Sequence, residues 1–255
     1  MVTIMQISGY LFKSVRACCI ACMPLLIVGC SSMADSDAAV ANELDPWESA
    51  NRQVYAFNKV VDDTLLLPAT RAYDVIVPDV VEKSVSNVFN NLSEVKHFAN
   101  HLLQGKPIQA ANDAGRFVIN TSVGLVGIFD VAADLGMYAQ AEDFGQTLGY
   151  WGVASGPYIV LPLMGPSSLR DAASLPIDRR FDLLADYKPE DHKLGLQVLQ
   201  VLDTRNQLQD LQQFVIGDEY TFVRDAYLAR QAMQIRDGRP VTDNGKVTDE
   251  FDEFN

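Results

Sequence analysis

Between Gly149 and Asp171 the chain reads GYWGVASGPYIVLPLMGPSSLRD, and no charged residue interrupts it from Tyr150 to Leu169. Its four glycines and three prolines rule out one long helix and a regular central strand. Loops rich in Gly and Pro usually run over a wet surface and are polar. This one is apolar and aromatic. Either other elements cover it, or its surroundings are not water.

The N-terminal segment bears on that choice. Lys13 and Arg16 precede an uncharged apolar run, Ala17 to Gly29. The run is too short for a usual membrane-spanning helix and has the form of a signal-peptide core. It ends in Leu26-Ile27-Val28-Gly29-Cys30-Ser31. This resembles a bacterial lipobox, in which aliphatic and small residues precede a cysteine that is lipidated and becomes the new N-terminus. Residues 1–29 are then a signal peptide, and the one covalent group expected is an N-terminal lipid on Cys30, with no other cofactor. Cys18, Cys19 and Cys22 fall in the removed segment, which leaves Cys30 without a disulfide partner. Ser31, rather than Asp, after the cysteine favours the outer membrane, facing the periplasm.

Of the 20 Lys+Arg, two lie in residues 1–30, which hold none of the 33 Asp+Glu. The mature chain therefore carries 18 basic against 33 acidic residues, a formal −15. That balance excludes nucleic acid as a partner through phosphate neutralisation. It also excludes a broad basic surface for anionic lipid headgroups.

Residues 30–44 are small and polar beyond the cysteine and read as a tether. Residues 45–238 read as one helical domain, and residues 239–255 as an acidic mobile tail. Asp45 is placed to N-cap a helix, with Pro46 at its first position and Glu48 at capping-box spacing. Trp47, Ala50, Val54, Phe57 and Val61 recur at intervals of 3 and 4 and predict its buried face. A second helix is predicted from Pro78 to Gly105, with Val81, Val85, Val88, Leu92, Val95, Ala99 and Leu102 as its core stripe. Phe117 to Ala133 is apolar nearly all round, which predicts a central helix or one in lipid. A charged Asp130 there needs a partner or water. It either caps the turn from Val131 to Leu135 or keeps water in a polar path. Further helices are predicted within Lys188–Val215 and from about Asp218 to Asp237.

Catalytic motifs are scarce. In Gly152-Val-Ala-Ser155-Gly156 the serine stands one place too late for a nucleophile elbow. His97 and His101 stand four apart on a helix, but Phe98 breaks the zinc-protease pattern. Exposed helix polarity explains them better than a metal, and no metal site is expected. His192 is remote in sequence, so a Ser-His-Asp set has no support.

Four stretches together resemble the MlaA/VacJ family of outer-membrane lipoproteins: DPWESANRQVYAFN (45–58), RFVINTSVGLVGIFDVA (116–132), EDFGQTLGYWGVASGPYIVLPLMGPSSLRD (142–171) and YTFVRDAYLARQ (220–231). The resemblance covers roughly residues 44–236. It departs at Ala50, where family members carry an aromatic or larger apolar residue. It implies a mainly α protein, a ring-shaped helical bundle around a central amphipathic channel, with irregular Gly/Pro-rich loops. Such a protein is lipid-anchored and embedded in the periplasmic leaflet of the outer membrane. It removes misplaced phospholipids from the outer leaflet and passes them to a soluble periplasmic carrier of the Mla system, associating with trimeric porins. No bond is broken, so no enzyme is expected. Residue type alone suggests Asn120, Thr121, Ser122 and Asp130 as the polar side of a lipid path. It also suggests Tyr150, Trp151 and Tyr158 as membrane-interface aromatics. A lipoprotein that braces porins without moving lipid, and a lipid hydrolase without a familiar motif, are the competing readings.

Overall fold

The computed structural model describes residues 44–185, 187–188, 190–209, 215 and 217–237. Cys30, most of the tether and the acidic tail lie outside them. α1 (Glu48–Val61) runs through a π-helical turn (Asp62–Leu66) directly into α2 (Leu67–Ile76). Leu67 N–H donates to Asp62 O, five residues back, and Pro68 follows in the first turn of α2. α3 (Asp79–Leu103) starts after Pro78 and stops before Gly105, which takes φ +72°. Those bounds match the predicted second helix. α3 makes the most extensive helix packing of the described chain, against α4 (Pro107–Ser122).

The predicted helix across residues 117–133 does not form as one piece. α4 ends at Ser122, and α5 (Val131–Asp134) is a single turn. Between them the backbone turns back on itself, with positive φ at Leu125, Val126 and Gly127. Val126 N–H donates to Thr121 O and Gly127 N–H to Asn120 O, which hold this sparsely populated geometry. Gly127 is needed there for space as well as φ, because a Cβ would stand 2.8 Å from the Asn91 Cβ.

The uncharged stretch also differs from the irregular loop expected. After α6 (Phe144–Tyr150) it forms an antiparallel hairpin of β1 (Tyr158–Leu161) and β2 (Gly165–Ser168). Tyr158 pairs with Ser168 and Leu161 with Gly165. Pro157 precedes β1, Pro162 lies in the turn, and Pro166 is in a two-stranded ribbon, so no proline sits in a central strand. α7 (Leu169–Asp178) follows at once, capped by Ser168, whose hydroxyl accepts from Asp171 N–H. α8 (Glu190–Gln207) and α9 (Glu219–Ile235) complete the chain, the latter capped by Asp218.

The free edge of β1 is closed by α1. Asn51 Nδ2 donates to Tyr158 O, and Val160 N–H donates back to Asn51 Oδ1 at 2.9 Å. Asn58 repeats the pattern with Leu161 O and Leu163 N–H. Two amides seven residues apart, two helical turns, serve in place of a third strand. The buried face of α1 is therefore set by Asn51 and Asn58, with Val54 and Tyr55 packed on the core. Trp47, Ala50 and Phe57 of the predicted face are exposed. Asp45 does not cap α1 either. Its carboxylate is buried and accepts from Asn51 and from the Tyr220 hydroxyl.

Candidate functional site

Among the described residues, seven apolar side chains are buried against twenty-one polar or charged ones, while thirty-four large hydrophobic residues are exposed. Chains that fold in water bury mostly apolar side chains. α3 carries the inversion most clearly. Its buried residues are Phe89, Asn91, Glu94, His97, Asn100 and His101, whereas Val81 and Leu102 of the predicted core stripe are exposed. His97 and His101 are thus not surface polarity as expected. No group of residues suited to a metal is found among the described residues.

Directed bonds join much of the polar interior, although Glu94 Oε2, His97 Nδ1 and Asp113 Oδ1 are buried without a hydrogen-bond partner. Arg116 of α4 is at its centre. Its Nε donates to Glu94 Oε1 at 2.6 Å, its Nη2 to Asp130 Oδ2 at 3.1 Å, and its Nη1 to Met137 O. Asn120 donates to Asp130 Oδ1, and Ala133 N–H donates to the same oxygen, so Asp130 does cap α5. Burial alone would push the Asp130 carboxyl up; bonds from Asn120, Arg116 and Ala133 outweigh it and hold it below the usual range. A second group joins α3 to α4 and α6. His101 Nδ1 lies 2.6 Å from Asp113 Oδ2, and Gln104 donates to Glu142 and to Thr147. Burial raises the Glu142 carboxyl, though Gln104, Lys106 and His101 oppose the rise.

Exposed apolar residues occur on most elements, among them the loop after α4 and the end of α6. Val123, Leu125, Val126, Ile128 and Phe129 stand out from the loop. Tyr150 and Trp151 are half exposed. Trp151 Nε1 donates to Leu103 O, and Lys106 lies over the Tyr150 ring at 4.9 Å. Tyr158 corrects the expectation. It is fully buried against Tyr220 and Tyr227, because β1 alternates and this side chain faces α9. Among the described residues, no helix is long and apolar enough to cross a membrane.

Three cavities surround α8. One, of ≈ 540 Å³, has mixed walls that include Leu92, Lys96, Asp178, Arg179, Gln197 and Gln200. Another, of ≈ 520 Å³, is walled almost wholly by apolar residues, among them Val88, Leu92, Ile128, Leu196 and Leu199. The third, of ≈ 340 Å³, lies against Leu65, Leu66, Val198, Val201 and Leu202. None of the four residues expected on a lipid path lines these three. Asn120, Thr121 and Asp130 are brought together instead at the root of the 123–129 loop, where Thr121 accepts from Asn91. Ser122 stands apart, bonded back to Val118 O.

A model of the family described as MlaA lipoprotein matches residues 43–234. The chain belongs to this family. Among MlaA relatives, the Escherichia coli K12 protein, an intermembrane phospholipid transport system lipoprotein, is 35% identical over 211 residues, 80% of this chain and 82% of that one. The Haemophilus influenzae protein of the same name is 30% identical over 236 residues, 89% and 93% of the two chains. An uncharacterised protein of Rickettsia felis is 34% identical over 193 residues, 74% and 77% of the two chains. A solved structure described as "Structural basis for maintenance of bacterial outer membrane lipid asymmetry" superposes with a TM-score of 0.66 at 32% identity. The match covers 75% of this chain and 98% of that one. The mainly α fold of the MlaA resemblance is confirmed.

Proposed function

We propose that this chain is an outer-membrane lipoprotein, anchored through Cys30. It removes misplaced phospholipids from the outer leaflet and passes them to a soluble periplasmic carrier. The observation that carries the reading is the inverted distribution of polarity: apolar side chains outside, a polar interior, and, among the described residues, no helix able to span a bilayer. Such a body lies in one leaflet with its apolar rim in lipid. A phospholipid crossing it keeps its headgroup against polar groups, which avoids the cost of taking that headgroup through hydrocarbon. The described helices form the wall of a channel in this reading, and a trimeric porin is the neighbour against which that wall rests. The names of the Escherichia coli and Haemophilus influenzae relatives support the same activity. No bond is made or broken, so the chain acts as a conduit and not as an enzyme.

The test uses the lipidated chain in vesicles with an acceptor carrier. Transfer of intact phospholipid supports the reading. Release of fatty acid supports a hydrolase, and neither outcome leaves a structural lipoprotein. Cys30→Ala should leave an unprocessed or mislocalised precursor. Normal amounts of mature, membrane-bound Cys30→Ala protein would remove the lipid anchor from the proposal.

A further inference from the structure

α8 presents three different faces to the three cavities. Successive residues are about 100° apart around a helix. Leu196 and Leu199 face one apolar groove, Gln197 and Gln200 face the mixed cavity, and Val198, Val201 and Leu202 face the second groove. The mixed cavity thus lies between two apolar ones. It shares Leu92 with the first and Gln197 with the second.

The charges in the mixed cavity are not evenly committed. Asp178 Oδ1 accepts from Phe144 N–H at 2.9 Å and its Oδ2 from the Ser174 hydroxyl, and Asp182 Oδ1 accepts from Leu184 N–H. Both carboxylates are therefore tied into local structure. The Arg179 guanidinium makes no ion pair or hydrogen bond with another described residue. The Lys96 ammonium makes none either, although its charge acts on Asp178. Two cations whose side chains have no partner among the described residues thus line a cavity in a chain of net charge −13. Arginine and lysine are suited to phosphate oxygens.

We propose that a phospholipid binds here, with its phosphate at Lys96 and Arg179 and its two acyl chains in the two apolar grooves that flank the mixed cavity. One polar cavity with two apolar neighbours matches one headgroup with two chains. The assignment rests on the lipid-passage reading and gives it a named station.

The experiment uses full-length lipidated protein in detergent and labelled dioleoyl phosphatidylethanolamine. K96Q/R179Q should lower binding about tenfold or more, the loss of roughly 1.4 kcal/mol. Far-ultraviolet circular dichroism and vesicle association should not change. Unaltered lipid binding by this folded variant would overturn the site. Val201→Trp, at an exposed position, should weaken the two-chain lipid and spare the one-chain lysophospholipid; equal effects on both would overturn the two-groove placement. Full displacement of the lipid by millimolar inorganic phosphate would assign the cations to a free anion and also overturn it. Vesicle-to-carrier transfer separates the two claims. If the wild-type chain binds the lipid but moves none, transport fails and the site stands. If K96Q/R179Q transfers at the wild-type rate, the site fails and transport stands.

Discussion

Between the hairpin, α1 and α9 the buried rings are Tyr158 and Tyr220, packed against Val54, Tyr55 and Leu228. Between α3, α4 and the loop beyond, the buried side chains are Glu94, His101, Asp113 and Arg116. The first region gains from removing apolar area from water and from edge-to-face ring contacts. The second gains little that way. Its groups are costly to desolvate, and directed bonds offset that cost. On the proposed reading the two designs coexist because apolar side chains need not turn inward where lipid surrounds them. Packing in the second region is thereby a matter of pairing, and each member depends on its partners.

That dependence gives the largest expected effect. Arg116→Met leaves Glu94 buried without its cation and should destabilise the fold by about 3–5 kcal/mol. Denaturant unfolding in detergent measures it, and a loss under 1 kcal/mol would show that the polar interior is not what holds α3 to α4. Asn51→Ala tests the polar seam within the first region. It removes bonds to Asp45, Tyr158 O and Val160 N–H, and at about 1 kcal/mol each it should cost roughly 2–3 kcal/mol. Tyr158→Phe is the control there, because the hydroxyl makes no hydrogen bond.

The apolar exterior predicts the reverse behaviour. Val126→Ser with Phe129→Ser should barely alter unfolding in detergent but weaken partition into vesicles, by about 2 kcal/mol from the lost apolar burial. Partition equal to wild type would place the 123–129 loop in water. Asp130→Leu removes the cap of α5 together with the bonds from Asn120 and Arg116 and should cost roughly 2 kcal/mol, with Asp130→Asn milder. Normal lipid transfer by a stable Asp130→Leu protein would take Asp130 out of the lipid path. The smallest effect is in pH. The folded-state Asp130 carboxyl titrates below its unfolded value of about 4. Its contribution is therefore complete above that value and is lost as pH falls through the lower, folded one. Asp130→Asn should remove this part of the acid limb of the stability curve.

Several elements were legible in sequence. Pro78 and Gly105 bound α3, Asp218 caps α9, and Asp130 caps α5, all for local reasons that need no tertiary context. The faces of the helices were not legible. On α3 the stripe from Val81 to Leu102 and the stripe from Asn91 to His101 share the same helical periodicity, and hydropathy alone assigns the first to the core. Only the nature of the exterior decides between them. The hairpin was hidden because its prolines read as breaks, whereas an isolated two-stranded ribbon has edges that tolerate them. Asn51 and Asn58 carried a usable signal in their seven-residue spacing, obscured by the apolar residues between them. Lys96 and Arg179 carried none. They are 83 positions apart in sequence, and only the fold puts both on one cavity.

The π-helical turn between α1 and α2 acts as a phase adjuster. A π turn holds an extra residue relative to an α turn, so everything beyond it is rotated by about 100° against the register that α1 sets. Asn51 and Asn58 fix the angular setting of the first half on the hairpin. Thr70 is buried on α2, and the Arg205 guanidinium grips Asp62 through two bonds of 2.7 and 2.9 Å at the turn itself. One rod of helix is thus keyed to two neighbours whose grooves do not line up. Deleting a single residue within Asp62–Leu66 would restore an unbroken α ladder and yet put the rod out of step with α8.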